Sequence, residues 1–212
     1  MRLYILRHGE TVWNVQRRLQ GCADIPLNEN GEYLARITGR ALCNVPFDYC
    51  VSSPLIRAQR TAELVLEGRD VPIYTDRRIQ EIGFGEWEGL SCDQNNFEIP
   101  DPNFPEFFRN PENYTPHPSG ETLESICGRT REFMNELAAN KENENKTILI
   151  SSHGCCVRAL LRCVEEKTEN FWRNCVPPNC SINVVDEKNG VFHLIEEDKI
   201  FYDRSKVLSY VG

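Results

Sequence analysis

The chain has 212 residues, 40% of them hydrophobic, with 32 acidic against 24 basic side chains and a net charge of −8 at neutral pH. This length suits one good-sized domain carrying an insertion, or at most two small ones. The acidic balance disfavours a general nucleic-acid binder or a partner at an acidic membrane surface. Ten cysteines show no C-x-x-C pair and no zinc-type cysteine–histidine spacing, which favours free thiols in a reducing cytoplasm over a disulfide framework. No leader is visible ahead of the first strand, and no apolar run approaches the ~20 residues of a membrane helix.

Residues 2–6 read as a short apolar strand. At its tip stand Arg7, His8 and Gly9. Arginine offers a rigid fork of donors for phosphate, histidine a nucleophile near neutral pH, and glycine room for the backbone to approach an anion. Residues 29–43 predict a helix with Leu34, Ile37, Ala41 and Leu42 on one face and Asn28 as its N-cap. A strand at 47–51 ends in Ser52-Ser53-Pro54, and a helix follows at 55–67 with Ala58, Thr61, Ala62 and Val65 in helical spacing. Residues 71–74 read as a third strand.

Prolines at 100, 102, 105, 111, 116 and 118 then interrupt the pattern. Such a stretch makes neither a central strand nor a long helix, and it is too long for an ordinary connection. It is expected to be a functional cover segment, at about 90–120, lying over the carboxyl edge of the sheet. A helix at 122–139 follows through Leu123, Ile126, Phe133 and Leu137. The near-continuously apolar strand at 147–152 suits burial on both faces and runs into His153-Gly154 and a helix at 155–165. Strands at 181–186 and 191–196 flank Asn189-Gly190, a hairpin signal. The alternation predicts an α/β three-layer sandwich, with a mostly parallel central sheet and helices on both faces, as a single domain spanning 1–212.

In such a sheet, ligands bind outside the carboxyl ends of the parallel strands. Arg7-His8, Arg57, Glu81 and His153 all fall there. Two arginines, two histidines and a glutamate fit phosphoryl transfer. The arginines neutralise phosphoryl oxygens, one imidazole attacks, and the carboxylic acid protonates the leaving oxygen.

Six strings carry a resemblance: L-R-H-G-E-T-x-x-N at 6–14, R-L-Q-G at 18–21, S-S-P-L-x-R-A-x-x-T-A at 52–62, E-x-x-x-G-x-W-E-G at 81–89, G-E-T at 120–122 and S-S-H-G at 151–154. In this order they resemble the histidine phosphatase superfamily, in its phosphoglycerate-mutase-like branch. The resemblance implies that His8 is transiently phosphorylated, that Arg7, Arg57 and His153 hold the phosphoryl group, and that Glu81 donates the proton. It also implies that Asn14 is a further phosphate contact and that Gln20-Gly21 border the substrate, with Glu121 at most a supporting residue. Arginines take the place of magnesium in this scheme, and no cofactor is implied.

Phosphatase and mutase share this pocket. Residues 90–125 hold seven acids against the single base Arg109, whereas a mutase needs basic residues to hold a second anion. The cover aromatics Phe97, Phe104, Phe107, Phe108 and Tyr114 suit a small monophosphate with a neutral or partly apolar remainder. A phosphomonoesterase is therefore expected, related to broad-specificity and α-ribazole phosphatases. The alternatives are a cofactor-dependent phosphoglycerate mutase and a catalytically silent phosphate-binding module. The sequence is silent on the particular substrate and on oligomeric state.

Overall fold

The computed structural model describes residues 1–165 and 170–206. Its strands are β1 (Arg2–Arg7), β2 (Tyr49–Ser52), β3 (Ile73–Thr75), β4 (Thr147–Ser152), β5 (Ile182–Lys188) and β6 (Val191–Lys199). Its α-helices are α1 (Val12–Val15), α2 (Glu29–Ala41), α3 (Ile56–Val65), α4 (Glu106–Arg109), α5 (Leu123–Ala139) and α6 (Gly154–Arg162). The strands form one sheet in the order β3-β2-β4-β1-β5-β6. The first four run parallel, while β5 is antiparallel to both of its neighbours.

Side chains alternate between the two faces of a strand, and this splits the core in two. Leu3, Ile5, Val51, Ile148 and Ile150 join one cluster, with Ile126, Phe133 and Met134 of α5 and Val157 and Leu160 of α6. Leu6, Cys50 and Leu149 join the other, with Leu34 and Ala35 of α2 and Ala62 and Val65 of α3. The sheet is thus covered on both faces, as the α/β sandwich requires.

Several boundaries differ from the sequence expectation. The single turn α1 has no sequence signal of its own, because four residues carry no periodicity. It forms through a capping box in which Thr11 Oγ1 accepts from Asn14 N while Asn14 Oδ1 accepts from Thr11 N. The third strand is reduced to a short exposed edge, Ile73–Thr75. On α2 the buried positions are Gly31, Leu34, Ala35 and Thr38, with Ala41 exposed, so the face is rotated from the expected one. Asn28 does cap this helix, its Oδ1 accepting from Gly31 N at 2.7 Å. The hairpin between β5 and β6 turns at Asn189 and Gly190, with φ of +55° and +79°, the left-handed pair that a tight two-residue turn demands.

The proline-rich cover is continuous with the core rather than a detached flap. Ile99, Phe104 and Phe107 are buried in the α5–α6 cluster, and Phe104 meets the Trp87 ring edge-on at 5.8 Å. Among the described residues, no helix is long and apolar enough to cross a membrane.

Gly9, expected to make room for an anion, has another task in the structure. A Cβ there would lie 2.6 Å from Gly31 O, and one at Gly31 would lie 2.1 Å from Glu10 O. The first turn of α2 therefore presses directly on the backbone beyond β1, and two glycines permit the contact. Gly31→Ala is expected to destabilise the protein by about 1–3 kcal/mol through overpacking, read as a lower urea midpoint. An unchanged midpoint would show that the two segments separate freely.

Candidate active site

The parallel strands β1, β2 and β4 deliver their last residues to one edge of the sheet, where an open cleft forms. Arg7, His8, Asn14, Gln20, Gly21, Arg57 and Glu81 all line it. His153 is the exception among the predicted residues. It is fully buried and stands behind the wall, its ring centroid 5.1 Å from that of His8.

Backbone pairing fixes His8. Its N–H donates to Ser152 O at 2.9 Å, and the next amide, Gly9 N, donates to Thr61 Oγ1 of α3 at 2.9 Å. Its ring Nδ1 donates to Gly9 O at 2.6 Å, leaving Nε2 as the nitrogen with a free lone pair. Burial, reinforced by the charges of Arg57 and Arg7, pushes the His8 pKa well below its usual value. The ring is therefore uncharged at neutral pH, as a nucleophile must be. His153 is pushed down in the same way, by burial first and then by Arg57 and His8. Its Nε2 is hydrogen-bonded to Ser53 Oγ at 2.7 Å, and its Nδ1 is buried with no protein partner. His153 is thus neutral rather than cationic.

Arg57 sits on α3, completely buried. Nη1 donates to Ala23 O and Nη2 to Gly21 O, both at 2.7 Å, while Nε has no protein partner. Burial lowers its pKa to about 10. Arg7 Nη1 donates to Pro177 O. Glu81 lies at the N-terminus of α6, where its two carboxyl oxygens accept from Cys155 N at 3.2 Å and Cys156 N at 3.0 Å. Its loop is held from behind by Arg129, which donates to the carbonyls of Arg78, Gln80 and Glu81 and pairs with Glu121 at 2.8 Å. Gln20 Oε1 is buried without a protein partner. Asn14 uses its Oδ1 in the capping box and to accept from Asn179 Nδ2 at 3.3 Å.

Part of the wall escapes the sequence reading. Arg17, Arg18, Phe84, Trp172 and Val176 also line the cleft. The matched strings stop at 154, so nothing flags the 172–180 loop, which supplies Trp172, Val176 and the Pro177 carbonyl. Of the cover aromatics only Phe107 and Phe108 reach the cleft. Phe104 is core, and Phe97 is partly exposed at the surface.

A neutral histidine beside two buried guanidinium groups, with a carboxyl group in the same cleft, is the set of groups that phosphoryl transfer calls for. The chain belongs to the histidine phosphatase superfamily (branch 1), whose family model matches residues 3–197. It is 38% identical over 158 residues to a phosphatase of Bacillus subtilis, PhoE, an alignment covering 74% of each chain. It is 33% identical over 162 residues to a 2,3-bisphosphoglycerate-dependent phosphoglycerate mutase of Gloeobacter violaceus, covering 75% of this chain and 73% of that one. Among solved structures, Bacillus stearothermophilus YhfR superposes with a TM-score of 0.86 at 33% identity, over 94% of this chain and 97% of that one.

The depressed histidines predict an acid-sensitive fold. Both have folded pKa values below the ordinary 6.5, so below pH 6.5 the unfolded chain takes up protons that the folded one refuses. Their contribution is complete above pH 6.5 and is lost as pH falls, by up to ~1.4 kcal/mol per histidine per pH unit. The carboxylates with shifted values start from 3.8 or 4.5 and move lower, outside this window. Urea unfolding at pH 7.5, 6.5 and 5.5 should show the loss, and His153→Asn should reduce its slope. A flat profile would mean that these rings titrate freely.

Proposed function

We propose that this enzyme hydrolyses phosphate monoesters through a phosphohistidine on His8. The observation that supports this most directly is the Nδ1–Gly9 O hydrogen bond of a neutral, buried ring, which aims reactivity at Nε2. In the first step the Nε2–phosphorus bond forms as the ester oxygen–phosphorus bond breaks, and Glu81 gives its proton to the departing alkoxide. Arg7 and Arg57 meet the charge on the equatorial oxygens. His153 supports His8 and, once an anionic phosphoryl group arrives, takes up a proton that burial otherwise denies it. In the second step water attacks phosphorus, the phosphorus–nitrogen bond breaks, Glu81 takes the water proton and inorganic phosphate leaves. Asn14, Gln20 and Gly21 border the bound ester.

The leaving group meets Phe84, Phe107, Phe108 and Trp172, which favours a small molecule with an apolar or planar remainder. The mutase reading draws on Arg17 and Arg18, also on the wall. Those two guanidinium groups are already engaged, by Asp93 at 3.2 Å and Glu98 at 3.0 Å, so hydrolysis is favoured. The free thiols suit a reducing cytoplasm as the enzyme's setting, with the whole of 1–212 acting as one domain.

With p-nitrophenyl phosphate as substrate, His8→Ala should lower turnover by roughly three orders of magnitude or more, and rapid acid-free quenching of the wild type should trap phosphohistidine. Turnover surviving in His8→Ala would refute the covalent route. Glu81→Gln should reduce kcat/KM about 10²-fold or more for an alkyl ester such as glycerol phosphate. It should reduce kcat/KM far less for p-nitrophenyl phosphate, whose leaving group departs without a proton. Equal losses on both substrates would assign Glu81 a structural role.

A further inference from the structure

Four arginines line the cleft, and Arg7 and Arg57 account for the phosphoryl group. The other two come from the R-R pair that precedes Leu19-Gln20-Gly21. Consecutive residues of an extended segment point to opposite faces. Arg17 breaks that alternation with a left-handed φ of +52°, and both residues line the same cleft. The cover segment is stitched to this turn. Cys92 N donates to Arg17 O at 2.9 Å, and Arg18 and Ser91 form an isolated antiparallel bridge.

That stitching brings two of the seven cover acids onto the two arginines. Arg17 Nη1 lies 3.2 Å from Asp93 Oδ2, and Arg18 Nη1 lies 3.0 Å from Glu98 Oε2 while also donating to Gly89 O at 2.6 Å. The arginine side chains remain 40% and 32% exposed, so solvent weakens both pairs and another anion can exchange into them.

We propose that Arg17 and Arg18 form a second anion position, for the part of the substrate beyond the ester, and that Asp93 and Glu98 occupy it in competition. The cover acids then act as an internal selectivity filter. A phosphate ester carrying a second carboxylate or phosphate must displace them, whereas an ester with an uncharged remainder need not. This rests on the phosphomonoesterase reading above and adds the substrate class that the wall selects. Neither Asp93 nor Glu98 lines the cleft itself, so their effect on an uncharged leaving group is small.

The test is the double variant Asp93→Asn/Glu98→Gln. Both replacements can keep the oxygens that accept from Asn95 N and Ser91 N, losing only the 3.3 Å bond from Asn96 Nδ2 to Glu98 Oε1; the oxygen kept at 98 still accepts from Arg18 Nη1 but carries no charge. The kcat/KM for 3-phosphoglycerate should rise about five- to tenfold, while that for p-nitrophenyl phosphate moves less than about twofold. Adding Arg17→Gln should remove the gain. The filter is refuted if both substrates shift by the same factor, if 3-phosphoglycerate does not respond, or if the gain survives Arg17→Gln. Should the double variant fail to fold, Asp93→Asn alone, which loosens one exposed pair, should still improve 3-phosphoglycerate selectively, and an unchanged ratio there refutes the idea. Calorimetric binding of 3-phosphoglycerate to the same proteins reads the filter without turnover. Absent catalysis with an intact affinity gain would sink the hydrolase reading and leave the filter standing.

Discussion

Arg7 and Arg57 carry their charge into the interior at the carboxyl edge of the sheet, with almost no solvent contact. A buried guanidinium is costly unless its donors are met. Here backbone carbonyls meet part of them, Pro177 O for Arg7 and Gly21 O and Ala23 O for Arg57, while Arg57 Nε has no protein partner. These carbonyls carry no net charge, so the cavity keeps a positive field in surroundings that screen it poorly. Two consequences follow. Burial first, and this field after it, keeps the neighbouring imidazoles unprotonated, and the cleft favours an anion. Because the carbonyl anchors already fix the guanidinium groups, little reorganisation accompanies the arrival of charge.

The same device recurs around the site with a different purpose. Arg129 gathers the carbonyls of residues 78, 80 and 81 and leans on Glu121, which sets the loop bearing Glu81 against the start of α6. Arg158, buried within α6, donates to Cys175 O and pairs with Asp198 of β6, tying the 172–180 loop to the antiparallel edge of the sheet. A planar fork with five donors suits this work, since one side chain can fasten several peptide groups at once. Segments from separated parts of the chain thereby share one cleft.

Much of this arrangement is legible in the amino-acid sequence. Strand alternation and helical spacing locate the sheet, and its carboxyl edge is where Arg7, Arg57 and Glu81 come to line one cleft, with His153 buried behind it. What the chain does not disclose is non-local. The role of Gly9 lies in the backbone of Gly31, 22 residues away. Thr61, which reads as a helical core position, accepts from Gly9 N and donates to Arg57 O. Trp172 and Val176 come from a loop with no periodicity and no recognisable string. His153 lies one layer deeper than expected because β4 ends flush with β1, Ser152 opposite Arg7, and the next residue turns inward onto Ser53.

The acidic cover shows why position outweighs count. Seven acids against one base along 90–125 suggest a surface hostile to a second anion. Glu81 is nevertheless the only carboxylate among the described residues lining the cleft, against four arginines. Two of the cover acids act by pairing, Asp93 with Arg17 and Glu98 with Arg18, and Glu121 just beyond the cover meets Arg129. An ion pair presents a ligand with a dipole, and its field falls off faster than that of either charge alone. The cover therefore quiets the outer half of the cleft and leaves the positive field concentrated at Arg7 and Arg57, the proposed phosphoryl position. Under the proposed filter, discrimination between esters depends on whether a ligand can open those outer pairs, a property of two distances rather than of net charge.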